Sequence, residues 1–242
     1  MKATPFSAYA IQLTRFGLVN CYLVREPGGN GEQGDSFTLI DTGVSGAGDA
    51  ILAAAKAAGA PIRRVLLTHA HVDHVGSVDE LMAKLPAGTV LAISTRSLPL
   101  LQQPPNKTLD PGEPVGEIKG GLPGIVSQPT HLIAEGELFG SLRCIETPGH
   151  IPGHFSFLDE RDGTLYAGDA LVGVRRLAIP GFCHWYFPLP NGGTWNREMA
   201  RASARKLLGL PIERFACGHG RVQEGGTTVL REVVDAAGRV GL

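Results

Sequence analysis

The chain has 242 residues and a formal net charge of -1 at pH 7, from 22 basic and 23 acidic residues. This balance provides no basic stripe for a nucleic-acid backbone, so we expect no nucleic-acid partner. No apolar stretch is long enough to span a bilayer, and the N-terminus lacks an apolar core followed by a cleavage site, so we expect a cytoplasmic protein without a membrane partner.

Strands and helices are predicted to alternate along the chain. Short apolar and β-branched runs bounded by turn residues predict strands at 10–13, 19–24, 37–40, 64–67, 89–93, 141–145, 155–158, 165–167 and 214–216. Helical periodicity predicts helices at 47–58, 77–84, 195–208 and 227–237. Periodicity alone therefore predicts a mixed α/β protein.

Three histidines and an aspartate lie within six residues, directly after a predicted strand: His69, His71, Asp73 and His74. Imidazole and carboxylate are the ligands of catalytic divalent metals. Residues two apart in an extended segment face the same way, so His69 and His71 can bind one ion together. A histidine-rich patch can also be a weakly binding surface feature. Its position between a strand and a helix instead favours a catalytic metal site, able to serve two ions.

Further candidate ligands end other apolar runs, each beside glycine or proline: His150, Asp169 and His219. Residues of this kind gather on loops at one edge of a sheet scaffold. They are spread over about three quarters of the chain, and a domain boundary would cut the site, so we predict one domain over 1–242. His131 and His154 are expected to make structural hydrogen bonds instead.

In chain order, the motif H-x-H-x-D-H followed by H, D and H resembles the metallo-β-lactamase superfamily, in particular its small lactonase and glyoxalase II-like members. The match runs from Asp41 to His219. The resemblance implies an α/β (α+β) fold, a four-layer αββα sandwich of two mixed sheets flanked by helices. It also implies the ligands of two metals: His69, His71 and His150 for the first, Asp73, His74 and His219 for the second, and Asp169 as the bridge. Asp41 is expected to orient a ligand histidine or its loop.

The resemblance implies a hydrolase with two Zn²⁺ ions, with Fe or Mn as alternatives. The expected reaction is attack by a hydroxide, generated between the metals, on a small ester, lactone or thioester. Asp73 is also predicted to be catalytic, as the general acid and base that moves the proton to the leaving group. The expected partner is a small-molecule substrate, and the oligomeric state is left open, with a homodimer as one option.

Several activities of the superfamily fit less well. True β-lactamases usually lack the bridging aspartate that Asp169 matches, and nuclease members carry a basic surface. Only 23 residues follow His219, where glyoxalase II-type enzymes carry a glutathione-binding domain. Val172 stands where the best-known quorum-quenching lactonases have tyrosine. The main alternative is a mononuclear iron oxidoreductase resembling persulfide dioxygenase, with its iron on His69, His71 and His150, or with Asp169 in place of one of them.

Two irregular segments are candidates for the walls of the site. The segment 98–140 is rich in proline and glycine, which excludes a long helix or a regular central strand. We predict that it forms a wall of the pocket, with a solvent-exposed insertion as the alternative. In the aromatic-rich stretch 182–190, His184, Trp185 and Tyr186 are predicted to line the substrate pocket, with core packing as the alternative.

Overall fold

The structure, a computed structural model, describes residues 1–28 and 34–239. The first sheet contains β1 (Lys2–Pro5), β2 (Ala10–Arg15), β3 (Val19–Glu26), β4 (Ser36–Ile40), β5 (Ile62–Leu66), β6 (Val90–Ser94) and β7 (His131–Ile133). The second contains β8 (Leu138–Phe139), β9 (Leu142–Glu146), β10 (Phe155–Asp159), β11 (Thr164–Gly168), β12 (Arg214–Cys217) and β13 (Gln223–Glu224). The helices are α1 (Gly48–Ala57), α2 (Val72–Val75), α3 (Val78–Met82), α4 (Leu189–Gly193), α5 (Arg197–Leu207) and α6 (Gly226–Arg239). Across the described ranges, none of these helices has the length and hydrophobicity needed to cross a bilayer.

Both sheets are mixed. The strands of the first sheet follow chain order, with antiparallel pairs from β1 to β4 and parallel pairs from β4 to β7. The second sheet has the order β13-β12-β11-β10-β9-β8, and its parallel pair is β11 with β12. β9 is antiparallel to β10, which is antiparallel to β11, so β9, β11 and β12 all run in one direction. Their carboxyl ends therefore meet at one edge.

Alternation of side chains along the central strands divides the core into three layers. In β3, Leu23 packs with the residues of α1, whereas Tyr22 and Val24 pack between the two sheets. In β10, Leu158 packs with the residues of α5 and α6, and Phe157 faces the first sheet. Helices thus cover both outer faces of a pair of stacked sheets. This arrangement confirms the predicted αββα sandwich.

The strands missing from the sequence prediction are the four edge strands, β1, β7, β8 and β13. An edge strand pairs on one side only and packs against fewer neighbours, so its sequence carries a weak apolar periodicity. α4 was also missed, because its sequence Leu-Pro-Asn-Gly-Gly is typical of a loop. The predicted helices and central strands are all present, with ends shifted by a few residues.

The proline- and glycine-rich segment 98–140 has little regular structure, as predicted. It contributes a short 3₁₀ turn, Pro99–Leu101, and the two edge strands β7 and β8. Its buried Ile118 and Ile125 pack into the core of the first sheet. The segment is therefore fastened to the core and does not project into solvent along its whole length.

Buried polar side chains of the first sheet hold the loop that follows β12 in the second sheet. The Asn20 side-chain amide donates to the carbonyls of Cys217 and Gly220, over 3.0 and 2.7 Å. The Tyr22 hydroxyl also donates to the Cys217 carbonyl, and the Gln12 amide donates to the Gly220 carbonyl. These bonds cross between the sheets at the loop that carries His219.

Replacing Asn20 by alanine should lower the free energy of unfolding by about 1–3 kcal/mol, because two hydrogen bonds to main-chain carbonyls are lost. Denaturant unfolding followed by circular dichroism measures this loss. Gln128→Ala is the control. Among the described residues its exposed side chain bonds only to the carbonyl of Val126, so the change should stay within about 0.5 kcal/mol. Equal stability of the two variants would contradict the proposed role of Asn20 in joining the sheets.

Candidate metal centre

The seven predicted ligands follow the carboxyl ends of strands from both sheets. His69, His71, Asp73 and His74 lie on the loop and short helix α2 after β5, and His150, Asp169 and His219 follow β9, β11 and β12. Loops at strand ends can place polar side chains close together because the sheet fixes where each loop starts. The structure brings all seven into one cluster, in three overlapping groups that could each hold a metal ion: His69, His71 and His150; His69, His74 and Asp169; Asp73, His74 and His219.

Three buried imidazoles converge in the first half of the cluster. His71 Nδ1 lies 3.1 Å from His69 Nε2 and 3.0 Å from His150 Nε2. Burial lowers the pKa of all three rings, and lowers that of His150 to about 3. The rings are therefore neutral at physiological pH, which leaves nitrogen lone pairs available to a metal.

Carboxylates and histidines alternate in the second half. His219 Nε2 lies 3.2 Å from Asp73 Oδ2 and 3.3 Å from Asp169 Oδ2. Asp169 Oδ1 lies 3.4 Å from His74 Nε2, and its Oδ2 lies 3.5 Å from His150 Nε2. The carboxylate of Asp169 thus stands between the two halves, at the position predicted for a bridging ligand.

The second half of the cluster attracts positive charge. Burial acts to lower the pKa of His219, but the carboxylates of Asp169 and Asp73 outweigh it and raise that pKa to about 9. Burial acts to raise the pKa of Asp73, but His74 and His219 hold it below its ordinary value. A buried region that binds protons this strongly also favours a metal cation in their place.

Orphaned polar atoms support the same interpretation. His74 Nε2 and Asp169 Oδ1 are buried, and neither has a hydrogen-bond partner of acceptable geometry among the described residues. A buried polar atom without a partner costs about 1–3 kcal/mol. A divalent cation between these atoms would supply the missing partner, and nitrogen and oxygen donors suit zinc, iron or manganese. The residues present therefore fit a metal centre.

The buried carboxylate of Asp41 orients two of the candidate ligands. Its Oδ2 accepts from His74 Nδ1 over 2.7 Å and from the Thr68 hydroxyl over 2.8 Å, and its Oδ1 accepts from the Thr68 backbone N–H. Because the Thr68 hydroxyl donates to Asp41, it accepts from His69 Nδ1. Both histidines thus carry their protons on Nδ1, and their Nε2 atoms face the cluster. The relay through Thr68 was missed from sequence.

The other two histidines of the first half are held by the segment 98–140 and by Thr194, next to α4. His71 Nε2 donates to the carbonyl of Lys119 over 2.9 Å. The Thr194 hydroxyl donates to the Pro190 carbonyl and lies 3.4 Å from His150 Nδ1, from which it accepts. Lys119 and Thr194 were not among the predicted site residues. Neither residue type nor spacing distinguishes them, because the contacts are with a main-chain carbonyl and a single hydroxyl.

His154 and His131 stand outside the ligand groups and make structural hydrogen bonds. His154 Nε2 accepts from the backbone N–H of Asp169 over 3.0 Å, and its Nδ1 bonds to the Thr147 hydroxyl. His154 therefore fixes the backbone that carries the central carboxylate. His131 pairs with Glu137, away from the cluster.

A cavity of about 240 Å³ opens onto the ligands. Its walls are mostly apolar, and their non-ligand residues are Leu18, Val19, Gly120, Gly121, Phe187, Leu189, Pro190 and Gly193. Gly120 and Gly121 belong to the segment 98–140, which therefore contributes to the wall of this cavity.

The aromatic-rich stretch also reaches this cavity, through Phe187, Leu189 and Pro190. The structure does not bring the predicted His184, Trp185 and Tyr186 there, because the chain turns where Phe187 N–H bonds to the His184 carbonyl. Trp185 is 87% exposed. The His184 ring stacks on Tyr186 and lines a separate cavity of about 530 Å³ beside α6, which contains none of the candidate metal ligands.

Comparison with known proteins places this centre in a family. Residues 14–219 match the family model described as the metallo-beta-lactamase superfamily. The Bacillus subtilis (strain 168) protein YobT is 42% identical over 220 residues, which cover 90% of each chain. "Probable metallo-hydrolase YflN" of the same organism is 28% identical, over 84% of this chain and 81% of that one.

A hydroxyacylglutathione hydrolase of Halorhodospira halophila is 33% identical over 156 residues, 64% of this chain and 46% of that protein. The chain therefore matches less than half of that enzyme's length. Among solved structures, TTHA1623 in a di-iron-bound form superposes with a TM-score of 0.63 at 24% identity, covering 93% of this chain and 98% of that one, which shows the shared fold. With the family model matched over most of its length, the chain belongs to the metallo-β-lactamase superfamily of metal-dependent hydrolases.

Proposed function

We propose that the protein is a dinuclear metal-dependent hydrolase of small, uncharged esters or lactones. The observation that carries this proposal is the position of Asp169, whose carboxylate lies within 3.5 Å of His150 on one side and 3.3 Å of His219 on the other. A buried carboxylate shared by two groups of ligands supports two ions. Zinc suits this mixture of nitrogen and oxygen donors, and iron and manganese are the alternatives.

One ion would be held by His69, His71 and His150. The other would be held by Asp73, His74 and His219, and Asp169 would bind both ions. Bound there, divalent metals would supply a water of lowered pKa and polarise a carbonyl oxygen. Asp73 has a second role, because its side chain is 28% exposed and lines the cavity, whereas Asp169 is 5% exposed. Its carboxylate can therefore accept a proton on Oδ1 or Oδ2 and return it to the leaving group.

The cavity supports a small substrate without charge. Its volume of about 240 Å³ is below the range of about 300–1,000 Å³ found for drug-sized ligands. Among the described residues that line it there is no lysine or arginine. The glutathione thioesters implied by the name of one relative carry carboxylates, which such walls would leave unpaired. A neutral ester or lactone fits better than a glutathione thioester, a β-lactam carboxylate or a nucleic acid.

A second candidate function is a mononuclear iron oxidoreductase of the persulfide dioxygenase kind. The convergence of His69, His71 and His150 favours it, because those three ligands suffice for one iron. The second group, Asp73, His74 and His219, would then bind no metal. Its ligand atoms nevertheless lie as close together as those of the first group. We therefore prefer the hydrolase.

Metal analysis separates the two candidates. The purified protein should hold two equivalents of divalent metal after dialysis, as measured by plasma mass spectrometry, and His219→Ala should retain about one. His131→Ala is the matched control, since His131 pairs with Glu137 outside the cluster, and it should keep both. One iron per chain with oxygen consumption would overturn the hydrolase proposal in favour of the oxidoreductase.

Asp41→Asn should weaken metal binding about 10- to 100-fold, because an amide cannot accept from all three donors that Asp41 now serves. Asparagine tolerates the left-handed backbone that Asp41 adopts at φ 56°, so the change leaves the turn unstrained. Competition with a chromogenic chelator measures the affinity. Asp49→Asn, at an exposed residue that pairs with Lys84, should bind metal as the unaltered protein does. Equal affinities would show that Asp41 does not orient the ligands.

Substrate charge should decide turnover. In a panel of aliphatic lactones, aryl esters, a glutathione thioester and a β-lactam, kcat/KM for the best neutral ester or lactone should exceed that for the thioester at least about tenfold. An unpaired buried polar group costs about 1–3 kcal/mol, and a charged group costs more. Asp73→Ala, the control for chemistry at this site, should abolish turnover. A higher kcat/KM for the glutathione thioester would reject the substrate assignment while leaving the metal centre in place.

A further inference from the structure

The irregular segment 98–140 contacts the metal-binding loop at two points in residues 119–121. The imidazole of His71 donates from Nε2 to the Lys119 carbonyl over 2.9 Å. The backbone N–H of Val72 donates to the Gly121 carbonyl, also over 2.9 Å. One bond therefore holds a side chain of the loop, and the other holds the main chain next to it.

The first of these bonds determines which nitrogen of His71 is free. A carbonyl oxygen only accepts, so the ring proton must be on Nε2. Nδ1 then carries the lone pair, and it is Nδ1 that lies 3.1 Å from His69 Nε2 and 3.0 Å from His150 Nε2. The opposite tautomer would point an N–H into the cluster and present no ligand atom to a cation.

Gly120 lets the chain pass this close to the ring. It has φ +85°, in the left-handed region that favours glycine. A Cβ built on it would lie 2.4 Å from His71 Nε2 and less than 3 Å from two ring carbons, so a side chain here must displace the ring or the carbonyl. The imidazole of His71 is a rigid ring held in a buried cluster. It cannot move away from the added Cβ as the end of a flexible side chain could.

The segment itself packs against the core, which fixes its position. Ile118, next to Lys119, is 2% exposed and packs with the core of the first sheet, as does Ile125. The backbone N–H of Ile125 also bonds to the Leu101 carbonyl over 2.9 Å. Residues 119–121 thus lie between two buried anchors, one directly before them and one four residues beyond.

We propose that residues 119–121 form a clamp that positions His71. The Lys119 carbonyl holds the Nε2–H tautomer and the ring orientation, and Gly120 provides the space for this contact. The position of residues 119–121 thereby sets the affinity of the His69, His71 and His150 group for its metal. This inference rests on the proposed metal centre and assigns a positioning role to a segment that provides no metal ligand.

Two alanine variants of one segment test the clamp. Gly120→Ala should weaken one of the two metal equivalents about 10- to 100-fold in chelator competition. It should also change the visible absorption spectrum of the Co²⁺-loaded protein, which reports ligand geometry. Gly112→Ala is the matched control, since Gly112 has φ +91° but no atom within 4 Å of its built Cβ. That variant should keep both the affinity, within about twofold, and the spectrum.

Equal metal affinity and identical Co²⁺ spectra in the two variants would overturn the proposal. A measurement on the unaltered protein covers the case in which Gly120→Ala does not fold. Long-range ¹H–¹⁵N correlation spectra of the metal-free protein should show His71 as the Nε2–H tautomer, and an Nδ1–H tautomer would also overturn the clamp. Failure of the unaltered protein to bind metal would reject the proposed function instead, because the tautomer is measured without metal.

Discussion

The carboxylate of Asp41 is the interaction on which the rest of the site depends. It lies at the end of β4 and binds Thr68, the residue directly before His69 in the metal-binding loop, through both the backbone N–H and the hydroxyl of Thr68. A buried charge is costly unless donors surround it, and this carboxylate has three. Two of those three bonds determine where the protons of His69 and His74 lie. The first sheet therefore holds the ligand loop in place and sets its protonation at the same time.

The same principle extends to the other ligand histidines, each with a different acceptor. His71 donates to a carbonyl of the segment 98–140, and His150 lies against the hydroxyl of Thr194 next to α4. When a neutral imidazole has its proton fixed on the outer nitrogen, the inner nitrogen presents a lone pair to the cluster. The rings of His69, His71 and His150 can stay buried together because none must be charged, whereas the carboxylates of Asp169, Asp41 and Asp73 raise the pKa of His74 against the effect of burial. His219 differs, since the outer Nδ1 atom has no partner among the described residues.

How far the sequence predicts this molecule depends on where the information lies along the chain. The motif from His69 to His74 and the buried central strands are local signals, and both were predictable. The edge strands were not, since one-sided pairing needs little apolar sequence. Thr68, Lys119 and Thr194 were also beyond reach, because they act through a hydroxyl or a carbonyl whose neighbour is set by folding. His184, Trp185 and Tyr186 stood out by composition, yet a turn at Phe187 brings a different part of the stretch to the cavity.

The walls of the cavity and the supports of the metal ligands are the same pieces of chain. Gly120 faces the cavity beside the carbonyl that holds His71, and Pro190 lines the cavity while its carbonyl holds the hydroxyl that contacts His150. Loops of this kind are usually free to vary between related enzymes. Here a change that reshapes the pocket for another substrate also disturbs the metal, so selection for a new specificity must preserve two main-chain carbonyls. Variation at the mouth is therefore expected at Leu18, Val19 and Leu189, whose side chains line the cavity and take no part in holding a ligand.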